Sequence, residues 1–169
     1  MSMKYIGAAF VIISSSVFGF CMAASIRKEI KQLRDFIGIL NYMICELNFR
    51  LTPLAQLCEL SAEQGKSLKQ VFRLFAEELD KQISPDPARC MDAALSRTED
   101  ISGCVVLFFR EFGGTIGKFD LEGQVSELKS LREKCSNALC VLEKSRDIRI
   151  RNCQTLGFCI GVAMTIILL

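Results

Sequence analysis

Residues 5–24 read YIGAAFVIISSSVFGFCMAA, twenty positions without a charge, and the chain passes from them straight into an amphipathic stretch that ends at Leu51. Twenty apolar residues suffice to cross the hydrocarbon core of a bilayer as a helix. Beyond them Ile26, Ile30, Leu33, Ile37, Leu40, Ile44, Leu47 and Leu51 recur at alternating steps of four and three. That spacing lays an apolar seam down one helix face and leaves Arg27, Lys28, Lys31, Arg34 and Asp35 to the solvated sides. From Ile26 to Leu51 there is no proline and one glycine, Gly38, so an unbroken helix is expected from the span through the seam. At about 1.5 Å per residue it would be about 70 Å long. A core helix of a soluble bundle would not be apolar on every face for so long. A signal peptide would want a more basic start than Lys4 alone, so the span is expected to be retained.

Composition narrows the function. Of 169 residues half are apolar, and the excess sits at the two ends of the chain. A net charge of +2, with basic residues interleaved among acids, argues against nucleic acid as a partner. Histidine is absent, which removes the commonest general base and the commonest metal ligand together. The glycines at 113, 114 and 117 lack the Gly-Lys-Ser/Thr ending of a phosphate loop. No nucleophile with a positioned base is visible, so neither enzyme activity nor any cofactor or metal is expected. The nine cysteines are odd in number and contain no C-x-x-C pair, which fits small buried hydrophobes in a reducing compartment. The alternative they leave open is a membrane-anchored thiol protein, a redox sensor or metal carrier.

Between the ends, the signals are all helical. Thr52-Pro53 forms a cap and first-turn pair for a short helix, 54–64, that Gly65 stops. Ser67 is expected to cap the next helix, whose face carries Leu68, Val71, Phe72, Phe75, Leu79 and Ile83. Ser84-Pro85-Asp86-Pro87 is the clearest turn; it is expected to be open to protease, with Asp86 capping and Pro87 opening a fourth helix to about Arg97. A fifth starts at Thr98-Glu99-Asp100, carries Phe108, Phe109 and Phe112, and is expected to end at Gly113-Gly114. Asp120 caps the longest helix, with Leu121, Val125, Leu128, Leu131, Cys135, Leu139 and Leu142 as its seam. No charge follows from 152 to 169, and 155–169 reads as a tail anchor.

The fold class expected is therefore all-α: a helical bundle domain over 25–154, flanked by transmembrane helices at 5–24 and 155–169. Arg27, Lys28, Lys31 and Arg34 border the first span, and Lys144, Arg146, Arg149 and Arg151 the second, all on the central side. The excess of Lys and Arg on that side puts the central domain in the cytoplasm and both termini outside. At the far end of the first helix, Glu46 and Arg50 are spaced for an i,i+4 pair just ahead of Thr52, Pro53 and Leu54. Read as an exposed pair, Glu46→Lys should barely move the melting temperature. This corner would stand about 35 Å from the membrane surface.

Three motifs carry a resemblance. They are Leu40-x5-Glu46-Leu47-x4-Thr52-Pro53-Leu54, then Phe112-Gly113-x2-Ile116-Gly117-x2-Asp120-x3-Gln124, and finally Leu156-Gly157-Phe158. Together, and in this order along nearly the whole chain, they resemble the stage III sporulation protein AB family. The resemblance implies a non-enzymatic component of the channel complex between mother cell and forespore in endospore formation, set in the mother-cell membrane around the forespore. It also implies a soluble domain similar to the cytoplasmic domain of the type II secretion F platform protein. Such platforms work beside a secretion-type hexameric ATPase and other membrane proteins of their assembly. The corner residues Glu46, Arg50, Thr52, Pro53 and Leu54 are then the candidate partner interface.

Overall fold

The structure, a computed structural model, describes the backbone of residues 2–50, 53–81 and 86–168. Side chains are described for 17, 20, 21, 23–50, 53–81, 86–148, 151, 152, 155 and 159. Among these residues the elements are all helices: α1 Ser2–Phe49, α2 Leu54–Gln64, α3 Lys69–Asp80, α4 Pro87–Ser96, α5 Gly103–Thr115 and α6 Leu121–Leu168. Among the described residues no helix is long and apolar enough to cross a membrane. Most side chains of the two expected spans, and the positions Leu51, Thr52, Ile83, Ser84 and Pro85, lie outside the described residues.

The chain divides into two compact units, Glu29–Cys140 and the pair Met1–Lys28 with Val141–Leu169. Within Glu29–Cys140 the α1 seam is buried at Ile30, Leu33, Leu40, Ile44 and Leu47, but the buried face is wider than a heptad stripe. It takes in Phe36, Ile39 and Met43 as well, because three packing neighbours surround this part of the helix rather than one. Phe36 is the hub. Its ring lies 4.7 Å from Phe109 and 6.3 Å from both Phe72 and Phe112, and Phe75 extends the cluster to Phe112 at 6.0 Å. Tilted and edge-on pairs of this kind contribute roughly 0.5–1.5 kcal/mol each beyond area burial. From α6, Val125, Leu128, Leu131 and Cys135 close the interior. Arg132 donates to the Asn41 side chain at 3.1 Å, which aligns α6 with α1.

Cap chemistry fixes several boundaries. Asp86 accepts from the Ala88 N–H at 3.1 Å with Pro87 in the first turn, and Asp120 accepts from the Gly123 N–H at 3.1 Å. Three boundaries differ from those expected. Ser67 does not cap α3: its N–H and hydroxyl both donate to the Asp35 carboxylate on α1, and the helix begins at Lys69. The start expected at Thr98–Asp100 falls at Gly103, because the Thr98 hydroxyl donates back to the Ala94 carbonyl and Asp100 has φ 79°. Gly113 and Gly114 do not end α5, which continues to Thr115. A Cβ at Gly113 would stand 2.6 Å from that of Met91, so this glycine lets α5 and α4 touch.

One polar side chain stitches the interior. Gln32, almost fully buried, donates to the Asp100 carbonyl at 2.8 Å and accepts from the Ser102 N–H at 2.9 Å. Both hydrogen-bonding ends of its amide are used, which holds the α4–α5 loop against α1 and steadies the left-handed Asp100.

Candidate partner interface

The end of α1 brings Tyr42, Glu46 and Arg50 onto one side by their four-residue spacing. Arg50 stands 3.7 Å from Glu46, and its N–H closes the last turn on the Glu46 carbonyl at 2.8 Å. The two partners are unequal. Arg50 is 73% exposed, whereas the Glu46 side chain is only 12% exposed. The expectation of an exposed ion pair is thus corrected for Glu46: its carboxylate is mostly covered and also takes a hydrogen bond from the Tyr42 hydroxyl. Burial holds the Tyr42 phenol above its ordinary range, followed by the negative charge and hydrogen bond of Glu46; Arg50 opposes and Glu63 adds a little.

Around this carboxylate the surface is mixed. Phe49 is 82% exposed, the largest exposure among the big apolar side chains described. Asn48 donates to the Ile44 carbonyl at 2.7 Å and, with Leu121, Glu122, Val125, Ser126 and Lys129, lines a shallow cleft of about 390 Å³ between α1 and α6. Pro53 occupies the N-cap position of α2 with φ −57° and ψ 146°, and its carbonyl accepts from Leu57. The helix therefore begins one residue later than a Pro53 first turn would place it; Thr52 lies outside the described residues. Leu54, half-buried, faces the α5–α6 loop, where a Cβ at Gly117 would sit 3.5 Å from its Cδ2 and 3.6 Å from Pro87. Gly117 has φ 78°, which a side chain would strain.

Of the five residues expected at the interface, the structure brings Glu46, Arg50, Pro53 and Leu54 to one end of the Glu29–Cys140 unit. Leu54 serves packing. Tyr42 and Phe49 were missed by sequence reasoning. The signal for Tyr42 is its place four residues before Glu46; Phe49 carries no signal beyond an apolar residue off the seam.

The described thiols fall into a covered and an exposed group. Burial drives Cys58 far above the ordinary thiol range and Cys135 up to about 12, with the Glu111 charge adding to the latter. Cys90 and Cys104 are raised too, again chiefly by burial. Cys21, Cys45, Cys140 and Cys159 are exposed. Among the described residues no group of Cys, Asp or Glu could hold a metal ion.

The residues of the second motif have folding duties. Phe112 and Ile116 are buried, Gly113 meets Met91, Gly117 turns the chain and Asp120 caps α6. In the first motif Leu40 and Leu47 are core, Glu46 and Leu54 are partly covered, and Pro53 is exposed.

Comparison with known proteins agrees with the motifs. The stage III sporulation protein AB of Bacillus subtilis (strain 168) is 22% identical over 171 residues, covering 99% of each chain. A solved structure of stage III sporulation protein AB (SpoIIIAB) superposes with a TM-score of 0.60 at 18% identity, over 72% of this chain and 98% of that one, and so shares its fold. The family model for stage III sporulation protein AB matches residues 4–169, nearly the entire sequence, and the chain belongs to that sporulation family.

Proposed function

We propose that this protein is a non-enzymatic membrane platform of the mother cell–forespore channel complex. Residues 5–24 and 155–169 anchor it in the mother-cell membrane around the forespore, both termini lie outside, and the bundle hangs in the cytoplasm. The membership of a sporulation family supports the setting, and the charge-free ends bordered by Lys and Arg support the anchorage. Its task is to link a secretion-type hexameric ATPase to other membrane proteins of the assembly.

The observation that carries the ATPase contact is the α1 corner. An aromatic ring 82% exposed and an arginine 73% exposed flank a carboxylate held by Tyr42. Aromatic and arginine side chains are enriched among the few interface residues whose truncation costs about 2 kcal/mol or more. Association of the ATPase with the full chain in membranes tests this. Phe49→Ala with Arg50→Glu should abolish association while the helical signal stays unchanged; full association by that variant would move the contact elsewhere. Alkaline phosphatase fused after residue 169 should be active and fused near Gly65 inactive, and the reverse pattern would overturn the topology. The thiol reading finds no support in the raised Cys58, Cys90, Cys104 and Cys135.

A further inference from the structure

The turn between α2 and α3 carries a charged place apart from the α1 corner. Lys66, Ser67, Lys69, Gln70 and Arg73 line a shallow notch there of about 340 Å³. Lys69 and Arg73 are one turn apart on α3, and Lys66 lies in the turn just before it. All three cations are exposed. Arg73 stands 3.7 Å from Glu77, whereas Lys66 and Lys69 make no ion pair among the described residues. The loop that presents them is pinned on both sides of Lys66. Ser67 donates its N–H and hydroxyl to Asp35 on α1, and a Cβ at buried Gly65 would stand 2.7 Å from Ile39 Cδ1. The notch is therefore formed before anything enters it.

These cations do not serve the helix they open. At the start of a helix an acid is stabilising and a base works against the dipole. In α3 the order is reversed: the first turn holds no acid and the last no base, Lys69 begins the helix, and Glu77, Glu78 and Asp80 come at its end. A local rule broken without a compensating contact for Lys66 or Lys69 points to a task outside the fold. Ammonium and guanidinium groups only donate, and their strongest partners are carboxylates and phosphates. A flat anionic bilayer suits the notch poorly. Exposed Glu63 and Glu77 stand one turn to either side of the cations, and a broad negative surface would meet them too. A single acidic chain can enter the notch and leave those acids aside.

We propose that the notch at the start of α3 docks an acidic segment of a partner protein through Lys66, Lys69 and Arg73. This contact depends neither on the α1 corner nor on the membrane reading of the chain ends. Its probe is a fluorescent peptide with a run of glutamates, set beside its glutamine counterpart, offered to the full chain in phosphatidylcholine nanodiscs. The glutamate peptide should bind roughly tenfold more tightly than the glutamine one or better, and lose that advantage as salt is raised. Lys66→Gln with Lys69→Gln should weaken it by roughly tenfold, with the helical signal kept. Arg89→Glu with Lys118→Glu removes two exposed cations elsewhere and should leave binding nearly unchanged. No preference for glutamate, no effect of the Lys66 and Lys69 pair, or an equal loss from the Arg89 and Lys118 pair would overturn the proposal. Displacement by inorganic phosphate, where chloride at equal ionic strength does nothing, would assign the notch to a small anion and overturn it too. In cells, a photoreactive phenylalanine analogue at position 70 should cross-link to a peptide rich in Asp or Glu. Cross-links to lipid, to a peptide without acids, or to nothing would count against the docking of an acidic segment with equal force.

Discussion

Phe36 and Glu46 lie on the same helix, about 15 Å apart, and are both largely covered, but by different means. Around Phe36 stand aromatic rings from α3 and α5. Glu46, mostly covered, has a tyrosine hydroxyl and a solvent-facing arginine among its partners. The first arrangement is redundant and defines the fold. The second joins charged and polar groups at the end of the helix.

Substitutions separate the two regions. Phe36→Ala should cost about 3–5 kcal/mol, since three rings lose their common neighbour; urea unfolding of the detergent-solubilised chain measures it, and a loss under about 1 kcal/mol would mean the rings are not the core. Glu46→Lys should cost about 1–2 kcal/mol, more than an exposed pair would, because the Tyr42 hydroxyl loses its acceptor; Glu46→Gln, which keeps an acceptor oxygen, should recover most of that. Gln32→Ala removes the partner of the Ser102 N–H and of the Asp100 carbonyl, both at a partly covered loop, and should cost about 1 kcal/mol by the same assay. Arg50→Glu should change stability by less than about 0.5 kcal/mol, as the arginine is mostly in water. A larger loss would show that Arg50 is part of the fold and weaken its assignment to an interface. The smallest signal is spectroscopic. With its charge removed by Glu46→Gln, the Tyr42 phenol should titrate closer to its ordinary range, read by ultraviolet absorbance against the parent. An unchanged titration would leave burial alone as the cause.

Helices and caps were legible because their signals are local. The 54–64 helix, Asp86 with Pro87, and Asp120 each rest on side chains within a few positions of the backbone they serve. The misread boundaries have tertiary causes. Ser67 is drawn to Asp35, thirty-two positions away, and Gly113 serves contact with Met91 rather than helix ending. The site was legible as a place more than as a chemistry. Glu46, Arg50 and Pro53 could be picked from spacing, but the covering of Glu46 depends on how the end of α1 packs, which a charged residue four positions from an arginine does not announce.

The Gln32 amide also bears on how the chain assembles. Its two bonds join residues 68 and 70 positions apart, so they close a long loop for the return of two hydrogen bonds. Contacts of that span are poor nuclei, and the α3–α4–α5 hairpins can form from nearer neighbours first. Gln32 thus acts as a latch thrown at the end: its loss should quicken escape from the native state and leave the rate of reaching it nearly unchanged.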